Sequence, residues 1–327
     1  MTERIRWGIL GTGGIAVKFA KGLSVLPDAE LAAVGSRAPE TAKAFGDRFR
    51  IPRRHGSYEA LAHDPEIDVI YVATPHPMHK ENSILCLKAG KAVLCEKPLT
   101  MNAREAEEVI SVAREFRRFF MEAMWTRYLP AVKKVREWLA EGRIGEPRWV
   151  AAEFGFRLSR PPESRWLNPD LGGGALLDVG VYCISFASMV FQSEPERIVS
   201  MTHIGDTHVD EQSAMTLGYK GGRIAQLSCA VQTTMHNAAL IYGTDGKISL
   251  SPWFFQTRRA TLETKDDKET GEPPFKKNGY NYEAAEVMRC LRAGELESPG
   301  MPLDESLSIM RTMDRIREQW GLKYPME

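Results

Sequence analysis

The chain has 327 residues, of which 43% are hydrophobic and 26% charged, and its 43 basic side chains balance 43 acidic ones. This length divides naturally into two domains. Zero net charge speaks against nucleic acid or an anionic membrane surface as a partner. We found no stretch that approaches the roughly 20 apolar residues of a membrane span. Five scattered cysteines, an N-terminus without an apolar signal core and no metal-ligand spacing predict a cytoplasmic protein that binds no metal.

The first 125 residues alternate short apolar runs with helical segments. Strands are predicted at Ile5–Leu10, Leu31–Gly35, Val69–Thr74, Ala92–Cys95 and Phe119–Glu122. Helices are predicted to end near Leu26, to span Pro39–Phe49, to start at Ser57, to span Met78–Lys88 and to end near Phe116. This alternation predicts an α/β Rossmann domain over residues 1–125, with a doubly wound parallel sheet.

The pattern changes after Trp125. The predicted elements are a helix Leu129–Ala140, a strand Arg148–Arg157, an insert ending at Phe191, consecutive strands over 196–262, and helices Tyr282–Arg292 and Glu305–Gln319. Strands without intervening helices favour antiparallel pairing. Residues 126–327 are therefore predicted to form an α+β substrate-binding and dimerisation domain with a large, mostly antiparallel open sheet. A second subunit is the simplest cover for its open face.

A glycine-rich turn follows the first strand and opens the first helix. Gly11, Gly13 and Ala16 fit the G-x-G-x-x-G/A pattern, in which the backbone and the helix N-terminus face a pyrophosphate. The alternative is a turn that serves only packing. The candidate cofactor contacts in this loop are Gly11, Thr12, Gly13, Gly14 and Ile15.

The end of the second strand is where a dinucleotide-binding fold reads the adenosine ribose. An acidic residue there would indicate NAD, but the chain has Ser36 and Arg37, and the first carboxylate is Glu40. A hydroxyl beside a guanidinium suits a 2′-phosphate. We therefore predict NADP in preference to NAD; a solvated surface arginine is the alternative.

Two histidines follow the third strand, at the edge of the sheet where the cofactor is expected. The backbone of Thr74, Pro75 and His76 is predicted to line the nicotinamide ribose. We favour His79 over His76 as a residue that polarises a substrate oxygen, because the following helix can aim it at the crevice. A loop hydrogen bond or a helix cap is an equally weighted alternative.

Glu96, Lys97 and Pro98 follow the fourth predicted strand. A lysine at this sheet edge can contact the cofactor and can hydrogen-bond a substrate hydroxyl or lower the pKa of a neighbouring phenol. The alternative is a surface lysine. We predict that Glu96 and Lys97 contact the cofactor and that Lys97 is catalytic.

Asp178 and Tyr182 are four residues apart and share one face of a predicted helix, which Gly172–Gly174 precede. We predict Tyr182 as a proton shuttle with Lys97, and Asp178 as a residue that binds and orients the substrate. A capping aspartate and a core tyrosine are the alternative. Possible walls of a substrate pocket, which are as often simple core, are Trp125, Arg127, Phe154, Phe156 and Trp166.

Four stretches together resemble the glucose-fructose oxidoreductase/inositol dehydrogenase (Gfo/Idh/MocA) family over nearly the whole chain: Arg6–Ile9, Ala92–Pro98, Met121–Arg127 and Gly172–Cys183. The Glu-Lys-Pro signature is typical of the broad family. The last two stretches resemble its dihydrodiol dehydrogenase subgroup, also known as NADP-dependent D-xylose dehydrogenases. Tyr182 stands where most of the wider family has histidine.

The resemblance implies a homodimer through the open sheet and an aromatic-walled pocket. It also implies hydride transfer between NADP (with NAD possible) and a carbinol carbon of a cyclic diol or sugar, such as a trans-dihydrodiol or D-xylose. Two alternatives stay open: another sugar or anhydrosugar reductase of the same fold, and an NADP-binding regulator without chemistry.

Overall fold

The structure, a computed structural model, describes residues 4–158, 161, 163–250 and 252–327. It contains two compact units, and each is described separately below. One comprises Met1–Trp125 and Phe275–Leu307, and the other comprises Thr126–Pro274 and Ser308–Glu327. The segment 275–307, which we assigned to the second domain, thus groups with the first.

The elements are numbered in chain order. The strands are β1 Ile5–Leu10, β2 Ala29–Gly35, β3 Arg53–His55, β4 Val69–Val72, β5 Ala92–Glu96, β6 Phe120–Ala123, β7 Pro147–Gly155, β8 Arg197–Ile204, β9 Asp210–Tyr219, β10 Arg223–Ala230, β11 Ala239–Gly243, β12 Gly246–Leu250, β13 Ala260–Thr264 and β14 Lys268–Gly271. The α-helices are α1 Gly14–Leu23, α2 Pro39–Phe49, α3 Tyr58–Ala62, α4 His79–Lys88, α5 Ala103–Glu115, α6 Pro130–Ala140, α7 Val181–Phe191, α8 Tyr280–Ala293 and α9 Leu303–Trp320.

The first unit contains the predicted parallel sheet. Its strand order is β3-β2-β1-β4-β5-β6, and every pairing is parallel. The chain reverses direction across the sheet between β1 and β4, which is the switch point where such sheets bind nucleotides. The doubly wound α/β prediction is therefore confirmed. The edge strand β3 was not predicted, because its three residues are polar and give no hydrophobic signal.

Helix α8 packs against α1 within the first unit. A side chain at Gly22 of α1 would lie 2.9 Å from the Cβ atom of Tyr280 and 3.1 Å from the backbone nitrogen of Asn281. The amide of Asn278 also donates to the Lys18 carbonyl at 2.8 Å. This glycine lets the two helices approach closely, which explains why the late segment 275–307 belongs to the first unit.

The second unit is built on an eight-stranded sheet in the order β14-β13-β12-β11-β7-β10-β9-β8. Among the described strands, β7 and β10 form its one parallel pair, and the other pairings are antiparallel. The parallel pair arises because a helical segment separates β7 from β8 along the chain. The prediction of a mostly antiparallel sheet is confirmed.

One face of this sheet, here called the open face, presents side chains of β7 to β11 to a groove of about 630 Å³. Val199 and Met201 of β8 are 62% and 78% exposed, and the strand alternates between exposed and half-buried residues. Trp149 and Tyr242 are also large, apolar and exposed. All four side chains belong to strands of this sheet.

The helical segment Pro169–Phe191 has the length and the mean hydropathy, 1.7, of a membrane span. This corrects our expectation that no stretch approaches one; the mixture of turns and short helices in this segment obscured its apolar length. The whole apolar window is buried inside the fold, as in the core helix of a globular protein. The segment therefore forms part of the hydrophobic core of the second unit.

Candidate active site

The glycine-rich turn has the geometry of a dinucleotide cradle. Gly11 has a φ of +104°, and a Cβ atom there would lie 2.9 Å from the carbonyl oxygen of Ala73. Gly13 is the N-cap residue of α1, and a Cβ on Gly13 or Gly14 would meet no described atom within 4 Å. The first glycine is thus required by the turn, and the other two leave open space before the helix N-terminus. These residues fit a pyrophosphate.

Ser36 and Arg37 lie at the end of β2, as predicted for the ribose reader. The buried Ser36 hydroxyl is 2.5 Å from the Thr41 hydroxyl, which in turn donates to the Ala38 carbonyl. Arg37 is exposed, and among the described residues its guanidinium has no hydrogen bond or ion pair. An uncommitted guanidinium beside the N-terminus of α2 is suited to bind a 2′-phosphate.

Two polar side chains of α4, those of His79 and Asn82, hold the loop that follows β4. The Asn82 amide donates to the Thr74 hydroxyl at 3.1 Å. His79 is fully buried, with Nδ1 2.8 Å from the Pro98 carbonyl oxygen and Nε2 2.9 Å from the Thr74 carbonyl oxygen. Both ring nitrogens therefore face backbone oxygens, which favours the structural alternative that we weighed for this histidine. The catalytic role of His79 remains a prediction. The ring of the buried His76 lies 5.6 Å from the His79 ring, centre to centre.

Lys97 follows β5 in a turn that the interior braces on several sides. The carboxylate of Glu96 accepts a hydrogen bond from the Tyr71 phenol and another from the Lys97 backbone nitrogen. The backbone nitrogen of Leu99 donates to Glu122 at 3.1 Å. The half-buried Lys97 side chain thus starts from a backbone that is held beside the buried side chain of Glu96.

A second carboxyl group lies in the same interior. Glu283 of α8 is fully buried, and neither of its oxygens has a hydrogen-bond partner among the described residues. Burial raises its pKa well above the usual range, and the negative charge of Glu96 adds to the effect. Burial therefore favours the neutral form of the Glu283 carboxyl group.

Asp178 and Tyr182 lie together in the second unit. Asp178 belongs to a π-helix, Leu176–Gly180, which continues directly into α7 with Tyr182 as its second residue. The carboxylate of Asp178 is buried and accepts a hydrogen bond from Arg165 at 2.9 Å. Asp178 and Tyr182 thus lie four residues apart on one continuous helical segment, whose first turn is wider than an α-helix.

Aromatic rings surround Tyr182. Phe154 packs edge-on against the Tyr182 ring at 5.4 Å and stacks on Phe255 at 3.9 Å. Phe156 contacts Phe154 at 6.0 Å and Trp166 at 5.2 Å. Phe154 and Phe255 therefore contact the predicted proton shuttle, and Phe156 and Trp166 extend the aromatic cluster beyond Phe154. Such a wall excludes water and suits the apolar face of a ring-shaped substrate.

The other two predicted wall residues lie elsewhere. The Arg127 side chain is buried and donates to the Ser185 hydroxyl and carbonyl at 3.0 and 2.8 Å, so it fastens α7. Trp125 belongs to the first unit, where it stacks on Tyr280 at 4.6 Å. Their roles in substrate binding remain predictions. Sequence reasoning missed Phe255 and Arg165, although the aromatic run Trp253–Phe255 was a signal for the first.

The nucleotide cradle of the first unit and the aromatic cluster beside Asp178 and Tyr182 in the second unit are the features of a nicotinamide-dependent oxidoreductase. Residues 5–123 match the oxidoreductase family with an NAD-binding Rossmann fold, and residues 132–249 match the GFO/IDH/MocA C-terminal domain. The chain therefore belongs to the Gfo/Idh/MocA family, as the sequence motifs indicated.

Curated relatives align over essentially the whole chain. Trans-1,2-dihydrobenzene-1,2-diol dehydrogenase from Xenopus laevis is 41% identical over 329 residues, covering 98% of this chain and 99% of the relative. The enzyme of the same name from Homo sapiens is 39% identical, covering 99% of both chains.

Solved structures of similar fold include two oxidoreductases. A 3-ketoreductase from Actinomadura kijaniata, in complex with NADP and TDP-benzene, has a TM-score of 0.84 and 30% identity, and covers 97% of this chain and 98% of its own. Aldose-aldose oxidoreductase from Caulobacter crescentus has a TM-score of 0.88 but 24% identity, covers 98% of both chains and supports the fold alone.

Proposed function

We propose that the protein is an NADP-dependent dehydrogenase or reductase that acts on a carbinol carbon of a cyclic diol or a sugar. The observation that carries this proposal is the full-length identity of about 40% with trans-dihydrobenzenediol dehydrogenases. The free guanidinium of Arg37 and the carboxylate-free end of β2 support NADP. The aromatic wall around Tyr182 supports a ring-shaped substrate.

In this proposal Tyr182 takes the proton of the substrate hydroxyl while the C–H hydride leaves the same carbon. The nicotinamide, when bound, supplies the hydride acceptor at C4. A phenol has a reference pKa of about 10 and needs a cationic neighbour to act near neutrality. Lys97 is the cation that we assign to this role. Since solved variants of the 3-ketoreductase replace a lysine by alanine and a tyrosine by phenylalanine, replacement of Lys97 and of Tyr182 is the natural test here.

Asp178 orients the substrate in this proposal. Its carboxylate is already polarised by Arg165, and the guanidinium of Arg165 lies 4.3 Å over the Trp166 ring. An anchored carboxylate accepts a hydrogen bond from a vicinal hydroxyl group without reorganisation. This predicts that diols are better substrates than simple alcohols.

A substrate screen tests the function directly. Purified protein is incubated with trans-dihydrobenzenediol, D-xylose, an anhydrosugar or a dicarbonyl, and formation or loss of NADPH absorbance is followed. Turnover of the dihydrodiol or D-xylose with NADP supports the proposal. Turnover restricted to the anhydrosugar or the dicarbonyl would favour the sugar-reductase alternative. Tight NADP binding with no turnover of any substrate would favour the regulator, which the joint presence of Lys97, Asp178 and Tyr182 otherwise argues against.

We further propose a homodimer formed through the open face of the eight-stranded sheet. The exposed apolar side chains of Val199 and Met201 support it, because a monomer would leave this groove in water. A second copy presents the same face, so the contact can be self-complementary. The five free, buried cysteines fit a reducing compartment, and we propose a cytoplasmic location.

A further inference from the structure

Asp210, the first residue of β9, is fully buried and lies beneath the helical segment that carries Asp178 and Tyr182. Its Oδ2 accepts a hydrogen bond from the backbone nitrogen of Leu176 at 2.7 Å and another from Ser213 at 3.4 Å. Leu176 is the first residue of the π-helix, and the preceding Ala175 supplies no side-chain cap. Asp210 therefore caps this helix from a distant strand. It satisfies a backbone N–H group that would otherwise be unpaired.

The turn before the helix is shaped to accept this carboxyl group. Gly174 has a φ of +119°, and a Cβ atom there would lie 2.3 Å from Oδ1 of Asp210. The Tyr324 phenol donates to the Gly173 carbonyl at 2.7 Å from the C-terminal tail. Asp210 and Tyr324 therefore both contact the glycine turn. The carboxyl group of Asp210 occupies the space that a side chain at position 174 would need.

We infer that Asp210 is a positioning residue for the reaction: by holding the amide of Leu176 it fixes the start of the helix and hence the placement of Asp178 and Tyr182. The inference rests on the proposed function for its catalytic consequence. The holding itself is a property of the folded chain and is measurable without substrate.

Because Asp210 titrates, its hold on the start of the helical segment depends on pH. Burial raises the pKa of Asp210 to about 7, against the opposing effect of its bonds from Leu176 and Ser213, and the charge of Asp178 raises it further. The other titratable groups that face Asp210 are the Cys229 thiol and the Tyr324 phenol. Burial raises the pKa of both groups, so both are neutral at pH 7.

The guanidinium of Arg317 lies 5.3 Å from the Tyr324 ring and is already paired with Asp314 and Glu327. It is therefore committed to other carboxylates. An acid that binds its proton more tightly when buried than in water favours opening of its surroundings as it ionises. Residues 174–182 should therefore open more readily as the pH rises from 5 to 8.

Hydrogen–deuterium exchange on the full chain, corrected for the intrinsic pH dependence, tests the holding directly. In wild type we expect exchange over 174–182 to accelerate between pH 5 and pH 8. Asp210→Ala removes the acceptor and should raise the rate about tenfold at both pH values. Asp210→Asn keeps an acceptor but not the charge, so its exchange should be slow and independent of pH. Ser213→Ala, which removes a bond to the same acid but none to the segment, is the matched control. Its exchange at pH 5 should follow wild type, and its acceleration should move to higher pH, because the lost bond no longer lowers the pKa of Asp210.

Turnover supplies the second readout. Asp210→Ala should lower kcat at least tenfold with an unchanged KM for NADP, and Asp210→Asn should recover most of the loss. Wild-type exchange and kcat in Asp210→Ala would overturn the inference, as would exchange that rises equally throughout the unit, because that marks a general loss of stability. If no substrate is turned over but the exchange pattern appears, the proposed function fails while the positioning of the segment by Asp210 stands.

Discussion

The phenol of Tyr71, on β4, donates a hydrogen bond to the carboxylate of Glu96 at the end of the neighbouring strand β5. Burial raises the pKa of Tyr71 well above its ordinary range, and the charge of Glu96 raises it further, so the phenol keeps its proton. This contact fixes a negative charge one residue before Lys97. The sheet interior thereby braces the turn that carries Lys97, on which the proposed chemistry depends.

The first prediction concerns the acid/base pair. Lys97→Met and Tyr182→Phe should each lower kcat by about 10²-fold or more, the range typical of lost general acid–base catalysis. NADP should still bind, since the glycine cradle is unchanged, and fluorescence titration measures this. The matched controls are the exposed Lys88→Met and Tyr242→Phe, which should keep wild-type rates. Wild-type turnover in either Lys97→Met or Tyr182→Phe would remove the mechanism.

The second prediction concerns the choice of cofactor. Arg37→Ala should raise the KM for NADP about tenfold or more and leave the KM for NAD within about twofold, because a charge-assisted contact to phosphate is worth about 1.5–3 kcal/mol. Steady-state kinetics with both cofactors measure the split. Arg48→Ala, an exposed arginine in the last turn of α2, should change neither value. A wild-type enzyme that prefers NAD would end this assignment.

Much of the first unit follows from local sequence. Apolar runs bounded by glycine predicted β1 with its observed bounds, and proline at the first position predicted α2 correctly. Asn102 caps α5 by accepting from the backbone nitrogen of Glu105, three residues later in the sequence. Each of these features depends on interactions between residues a few positions apart.

The rest depends on contacts between distant residues, which periodicity does not encode. Nothing near residue 176 indicates that its amide is held by Asp210. The partner of Asp178, Arg165, lies in an irregular segment without a motif. The return of residues 275–307 to the first unit rests on Gly22 and its contact with α8, which no local pattern shows. The sequence therefore indicated the candidate site residues themselves, but not the distant residues that hold them in place.

The third prediction concerns stability and pH. Because the pKa of Glu283 is raised in the folded state, its carboxyl group destabilises the fold increasingly as the pH rises above the ordinary value of 4.5. Glu283→Met removes an unpaired buried polar group and should gain about 1–3 kcal/mol near pH 8, with a smaller gain near pH 5. Denaturant titrations at the two pH values measure the difference. If Glu283→Met instead lowered the free energy of unfolding equally at the two pH values, the carboxyl group would have a stabilising partner.

The fourth prediction concerns the glycine turn beneath the candidate site. Gly174→Ala forces a Cβ into contact with Asp210 and strains a positive φ, so it should cost about 2–4 kcal/mol and lower kcat. Gly142→Ala is the matched control, because Gly142 also has a positive φ but a Cβ there would meet nothing within 4 Å. It should cost only about 1 kcal/mol and keep kcat. Equal costs for the two variants would show that the turn yields without moving Asp210.

The fifth prediction concerns the open face of the second sheet. Met201 is 78% exposed on β8, and Met201→Glu would place a charge in the middle of the proposed dimer contact. Burying an unpaired carboxylate costs far more than the methionine contact contributes, so the variant should be monomeric by analytical ultracentrifugation at concentrations where wild type is dimeric. Leu296→Glu, an exposed apolar position in the first unit, should leave the dimer intact. A monomeric wild type, or a dimer that survives Met201→Glu but not Leu296→Glu, would place the contact elsewhere.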